Sequence, residues 1–149
     1  MSRKPRLAVR GLVLNEGRLL MVNAFPGNTS DLLCAPGGGV EVGQSLPCNL
    51  KRELFEETGL GVEVGQIALV NEFQDPPRGF HQVDIYFRCT MISGDPNANW
   101  VDPEGVVNRR FWLTREDLEK HRYKPDSLPD VAWGDSDICA YDPLELILR

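Results

Sequence analysis

The 149-residue chain carries 16 Lys and Arg against 22 Asp and Glu, a formal net charge of −6, which argues against a broad electrostatic grip on duplex nucleic acid or an anionic membrane. Its length suits one domain, residues 1–149, and 42% hydrophobic content gives a core that needs no disulfide or metal staple. No run of about 18 apolar residues occurs, and Arg10 interrupts the apolar stretch after the basic start too soon for a signal peptide, so a cytoplasmic protein is expected.

In chain order, Leu7 to Leu14 and Leu19 to Val22 flank the turn cluster Asn15-Glu16-Gly17 and predict a β-hairpin. Phe25 to Asp31 is rich in loop formers, and Leu32 to Ala35 is a short strand stopped by Pro36. The glycines of Gly37 to Gly43 predict a loop, because each would cost a helix about 1 kcal/mol relative to Ala. From Ser45 to Thr58 the signals are helical, with Ser45 as N-cap, Pro47 in the first turn and Gly59 closing the end. Leu46, Leu50 and Leu54 give this helix an apolar stripe. Val62 to Phe73, Gln82 to Ile92 and Val106 to Leu113 predict strands, and Thr114 caps a short helix. After Tyr123 the pattern fades among Pro125, Pro129 and Pro143. Cys34, Cys48, Cys89 and Cys139 lack metal or redox spacing and predict reduced thiols, buried as small hydrophobes.

The chemistry concentrates on the first helix. At 100° per residue, Glu53, Glu56 and Glu57 share a sector of about 100°, with Arg52 at its edge. Like charges at this spacing destabilise an isolated helix by roughly 0.2 to 0.5 kcal/mol per pair, so a cation is expected to face them. Oxygen donors of this kind suit Mg²⁺ or Mn²⁺, and the adjoining glycines free a backbone carbonyl such as that of Gly38 to join them.

Counted from Gly38, the order is Gly, five residues, Gln44, seven residues, then Arg52-Glu53-Leu54-Phe55-Glu56-Glu57-Thr58-Gly59-Leu60. This resembles the Nudix box, G-x5-E-x7-R-E-U-x-E-E-x-G-U with U aliphatic, at eight of nine defined positions. At about 7% usage per specified residue, such a match by accident is on the order of one in a million. The resemblance implies an α+β fold, a Nudix-like α/β/α sandwich with a mixed, mostly antiparallel sheet. It also implies a metal-dependent hydrolase that cleaves the diphosphate of a nucleoside diphosphate linked to another moiety, with a small nucleotide derivative as partner and room for a homodimer. Carried over by position, Glu53 is the general base or bridging carboxylate, Glu56 and Glu57 are metal ligands, Gly38 is a carbonyl ligand, and Arg52 orients Glu53. Triphosphate pyrophosphohydrolysis and a non-catalytic nucleotide-binding module are the alternatives.

Gln44 departs from the pattern, which has Glu there; it keeps an acceptor for Arg52 but loses the charge. Glu104, preferred over Asp102 and Glu72, is the candidate for a further metal ligand from outside the box. Phe25, Phe73, Phe80, Tyr86 and Trp133 are candidate base platforms as well as core residues, whereas Trp100, Trp112 and His81 read as structural. Pro76, sixteen residues after Leu60, is similar to a marker of family members acting on ADP-ribose and also reads as a rigid turn.

Overall fold

The first hairpin forms where the turn residues predict it. β1 (Arg6–Asn15) and β2 (Arg18–Asn23) pair antiparallel across Glu16 and Gly17, with Leu14 opposite Leu19. The computed structural model describes residues 4–149, so the first three residues of the basic start lie outside the described residues. β3 (Leu33–Cys34) adds to β2, and β4 (Gly37–Gly39) pairs antiparallel with β1. The glycine segment predicted as loop is therefore a strand over its first three residues. Bare glycines are compatible with pairing, and their missing side chains leave space that neighbouring elements fill.

β5 (Gly61–Asp75) and β6 (Phe80–Ser93) form a long antiparallel pair around a single 3₁₀ turn, Pro76–Arg78. β6 lies parallel to β1 over eight register pairs, from Arg6 opposite Gln82 to Val13 opposite Cys89. The sheet order is β3-β2-β1-β6-β5-β8, with β7 (Arg110–Leu113) on β2 and β8 (Ala140–Tyr141) and β9 (Glu145–Leu146) both parallel to β5. It is a mixed, mostly antiparallel sheet, as expected.

Alternation along β1 and β2 feeds two cores. Val9, Val13 and Leu20 pack with Leu50 and Leu54 of α1 (Leu46–Thr58), while Leu12, Leu19 and Met21 pack with Leu118 of α2 (Arg115–Leu118) and Leu128 and Ala132 of α3 (Leu128–Ala132). Each fully buried Leu contributes about 1.5 to 3 kcal/mol, so the sheet is held from both sides. The Ser45 hydroxyl accepts the Cys48 N–H, and Gly59 ends α1 in the left-handed conformation at φ 74°. The Thr114 hydroxyl accepts from Asp117, the predicted cap of α2.

Two expectations need correction. Val106 to Arg109 do not extend β7, because side chains take their backbone groups. Asn23 Oδ1 accepts from the N–H groups of Asn108 and Arg109, Asn23 Nδ2 donates to the Val106 carbonyl, and Asp102 accepts from Val107. All four cysteines are free, but only Cys89 falls among the buried residues; Cys48 and Cys139 are exposed and Cys34 is intermediate. Cys48 lies in the first turn of α1, outside the Leu50 and Leu54 stripe. Among the described residues no helix is long and apolar enough to cross a membrane.

Candidate active site

α1 crosses the sheet so that its acidic face meets β4. A Cβ on residue 38 would lie 2.6 Å from the Glu53 carboxyl carbon, so Glu53 seats its carboxylate in the space that only glycine leaves. One turn on, Glu57 is buried and accepts the Gly37 N–H at 3.1 Å. Burial pushes the Glu57 carboxyl up to about 8; Glu53 and Asp102 add to this, while Arg10 and the Gly37 N–H oppose it. Glu53 is also raised, first by burial and then by Glu56 and Glu104, against the pull of Arg52.

Arg52 gathers the polar face of the helix. It donates to Glu56 at 3.2 Å, lies 3.4 Å from a Glu53 oxygen, and donates through Nε to Gln44 Oε1 at 3.4 Å. Sequence reasoning missed two further partners. Glu41 Oε1 lies 3.5 Å from Arg52 Nη2, and Gln44 Nε2 donates to the other Glu41 oxygen. Glu41 thus supplies, three residues earlier in the chain, a carboxylate for Arg52 where Gln44 has none. Asn49, fully buried, donates to the Gly39 carbonyl and accepts from both the Glu41 N–H and Arg52. An Asn at the fourth residue of the helix was its only signal in the sequence.

Glu104 reaches this site from the loop before β7. Asp102 builds that loop, accepting the Glu104 N–H and the Val107 N–H, and is itself buried. The loop is fixed to the end of α1 by Trp100, whose indole donates to the Glu56 carbonyl at 2.8 Å and packs edge-on to Phe55, and by Arg110, which donates to the carbonyls of Glu57 and Trp100. Glu104, Asp102, Glu53, Glu56, Glu57 and Gly38 line one open cleft. Glu72 does not join them: it accepts from Tyr141 and pairs with His81 at 3.1 Å on the far end of the β5–β6 hairpin.

As they stand, no three His, Cys, Asp or Glu side chains among the described residues converge closely enough to ligate one ion. The donor set nevertheless fits a hard divalent cation: it is all oxygen, partly desolvated, and two of its carboxyls are raised by burial and mutual repulsion. Such a cation would relieve that repulsion.

A second chamber adjoins the first, and Arg6, Arg10, Ala24 and Cys34 line both. Phe25, Phe73, Phe80 and Tyr86 line the second chamber; Trp133, the fifth aromatic candidate, instead donates to the Gly17 carbonyl. A polar row along the parallel β1–β6 pair lines the second chamber. Arg6 donates to Gln82, Gln82 donates to Asp84 at 2.7 Å, and Asp84 faces Arg10 Nε at 3.7 Å. Arg10 also donates to the Ala35 carbonyl, while its Nε is buried without a hydrogen-bond partner. In the sequence Arg10 was visible only as a charge interrupting an apolar strand.

The NUDIX domain model matches residues 4–133. The chain is 32% identical over 111 residues to a MutT-like protein of Streptomyces ambofaciens, covering 69% of this chain and 68% of that one. It is 32% identical over 95 residues to the ADP-ribose pyrophosphatase of Methanocaldococcus jannaschii, covering 63% of this chain and 56% of that one. Among solved structures, an ADP-ribose pyrophosphatase from Streptococcus suis superposes with a TM-score of 0.68 at 20% identity, covering 93% of this chain and all of that one. The chain spans about half the length of some sequence relatives it matches, 43% of one and 56% of another. With a family match over residues 4–133 and the box residues gathered on one cleft, the chain belongs to the NUDIX domain family.

Proposed function

We propose that the chain is a divalent-metal-dependent pyrophosphohydrolase that cleaves the diphosphate of a nucleoside diphosphate linked to another moiety, with water attacking phosphorus. The observation that carries this reading is the pairing of an acidic cleft with an aromatic chamber through shared arginines, which suits a ligand that is phosphate-rich at one end and planar at the other. The ADP-ribose pyrophosphatase among its relatives supports the same substrate class.

Glu53, Glu56, Glu57, the Gly38 carbonyl and Glu104 are the groups that would hold Mg²⁺ or Mn²⁺. When bound, such an ion supplies neutralisation of the diphosphate and polarisation at phosphorus. Glu53 is the candidate base: its raised affinity for a proton makes it a better acceptor from water than an exposed carboxylate, and Arg52 and Gly38 fix its position. Arg10, placed between Glu57 and Asp84, and Arg6 present positive charge where a second phosphate would lie. No Gly-x-Ser-x-Gly is present, and burial raises Cys34 to about 11 and Cys89 to about 12, so neither thiol is a ready nucleophile at neutral pH.

The test is product analysis in ¹⁸O-labelled water with Mg²⁺ or Mn²⁺, using ADP-ribose, UDP-glucose and nucleoside triphosphates. The reading expects two monophosphates from the diphosphate esters, with label on one phosphate. Pyrophosphate released from triphosphates alone, label on a sugar carbon, or binding without turnover would overturn it.

A further inference from the structure

We infer that residues 145–149 are a selectivity wall for the aromatic chamber, held against it by Arg149, and that this segment decides how tightly the group remote from the metal end is gripped. This rests on the nucleotide reading above. Glu145, Leu146, Ile147 and Leu148 line the chamber, yet the segment joins the sheet through only two register pairs, Phe73 with Glu145 and Gln74 with Leu146, plus the Ile147 N–H to the Gln74 carbonyl. Phe73, which anchors it, is itself a chamber residue.

Polar pins complete the attachment. Lys124 Nζ lies 3.4 Å from Glu145, Arg149 Nη2 lies 3.2 Å from Asp75, and Arg122 donates to the Arg149 main-chain oxygen at 2.6 Å. The Arg149 guanidinium also sits 5.2 Å from the centroid of the Phe25 ring, which lines the chamber from the loop after β2. Arg149 therefore bridges two sides of the chamber, the β5 end through Asp75 and the loop through Phe25. Exposed ion pairs and cation–π contacts are each weak, so these pins seat the wall without locking it.

The wall is built for an occupant. Leu146 is 67% exposed and Leu148 38% exposed although both line the chamber, so apolar surface stands in water beside four aromatic rings. A planar base entering there would cover it, between the Leu146 and Leu148 side chains of the wall and the aromatic rings opposite.

The test compares kcat/KM for ADP-ribose with that for 5-phosphoribosyl 1-diphosphate, which has a diphosphate but no base. Arg149→Ala, and a chain ending at Leu144, are expected to lower the ratio of the two by about 5-fold or more, through KM for ADP-ribose, with Arg149→Lys recovering part of it. In parallel, AMP should slow hydrogen exchange at the Ile147 amide of the wild-type chain. A ratio changed less than 2-fold in variants that keep their Tm, or an Ile147 amide indifferent to AMP, would overturn the inference. If neither diphosphate is turned over, the hydrolase reading fails, and the AMP measurement still decides the wall.

Discussion

Replacing Glu57 by Gln should stabilise the metal-free protein at alkaline pH while abolishing metal-dependent function. Glu57 is buried, and its carboxyl is raised from the ordinary 4.5 to about 8, chiefly by burial. Between those values the unfolded chain has released the proton and the folded chain has kept it. Stability is therefore complete below about pH 4.5, falls as the pH rises toward 8, and levels above. At about 1.36 kcal/mol per pH unit, the interval from 4.5 to about 8 corresponds to at most about 5 kcal/mol. Gln retains an oxygen for the Gly37 N–H and carries no charge, so its profile should lack this decline. With roughly 2 to 4 °C per kcal/mol for a chain of this size, Glu57→Gln should melt about 10 °C above the wild type at pH 9 in chelator. Urea and thermal unfolding from pH 4.5 to 9 provide the assay, and Mg²⁺ at pH 9 should restore the wild type more than the variant. Parallel profiles for the two proteins, or a variant that melts lower at pH 9, would refute the reasoning.

Glu53→Gln should lower kcat by about 10² to 10⁴ with Tm unchanged or raised, read by steady-state kinetics and calorimetry. Gly38→Ala should do comparable damage without touching a carboxylate, because its Cβ takes the space 2.6 Å from the Glu53 carboxyl carbon; near-wild-type turnover would contradict that seating. Glu41→Gln should lower kcat several-fold in the natural Gln44 background and much less beside Gln44→Glu, since either carboxylate can serve Arg52; a double-mutant cycle measures the coupling. Asp102→Ala should weaken metal affinity about 10-fold or more by freeing the Glu104 loop, with direct metal titration as readout.

Much of the site was legible in the chain because α1 is a local object. Spacing along one helix fixes that Glu53, Glu56 and Glu57 share a sector, and the caps at Ser45 and Gly59 depend on residues within one turn. The hairpin between β1 and β2 was legible for the same reason. Where long-range partners choose the outcome, local reading failed: β4 is a strand only because β1 lies beside it, and Val106 to Arg109 leave the ladder because Asn23, more than 80 residues earlier, takes the N–H groups of Asn108 and Arg109 and the Val106 carbonyl while Asp102 takes the Val107 N–H.

The sequence by itself determined an acidic chain with a capped amphipathic helix that carries a carboxylate face, since charge, composition and helical phase are properties of neighbours in the chain. Tertiary structure alone decided that Glu104 and Asp102 meet that face and that Glu41 pairs with Arg52 beside Gln44. It alone put Arg6 and Arg10 between two chambers and brought Arg149 over Phe25. Each of these contacts joins side chains whose approach depends on sheet register and loop path, and hydrophobic burial on both faces of the sheet sets those for the whole chain at once.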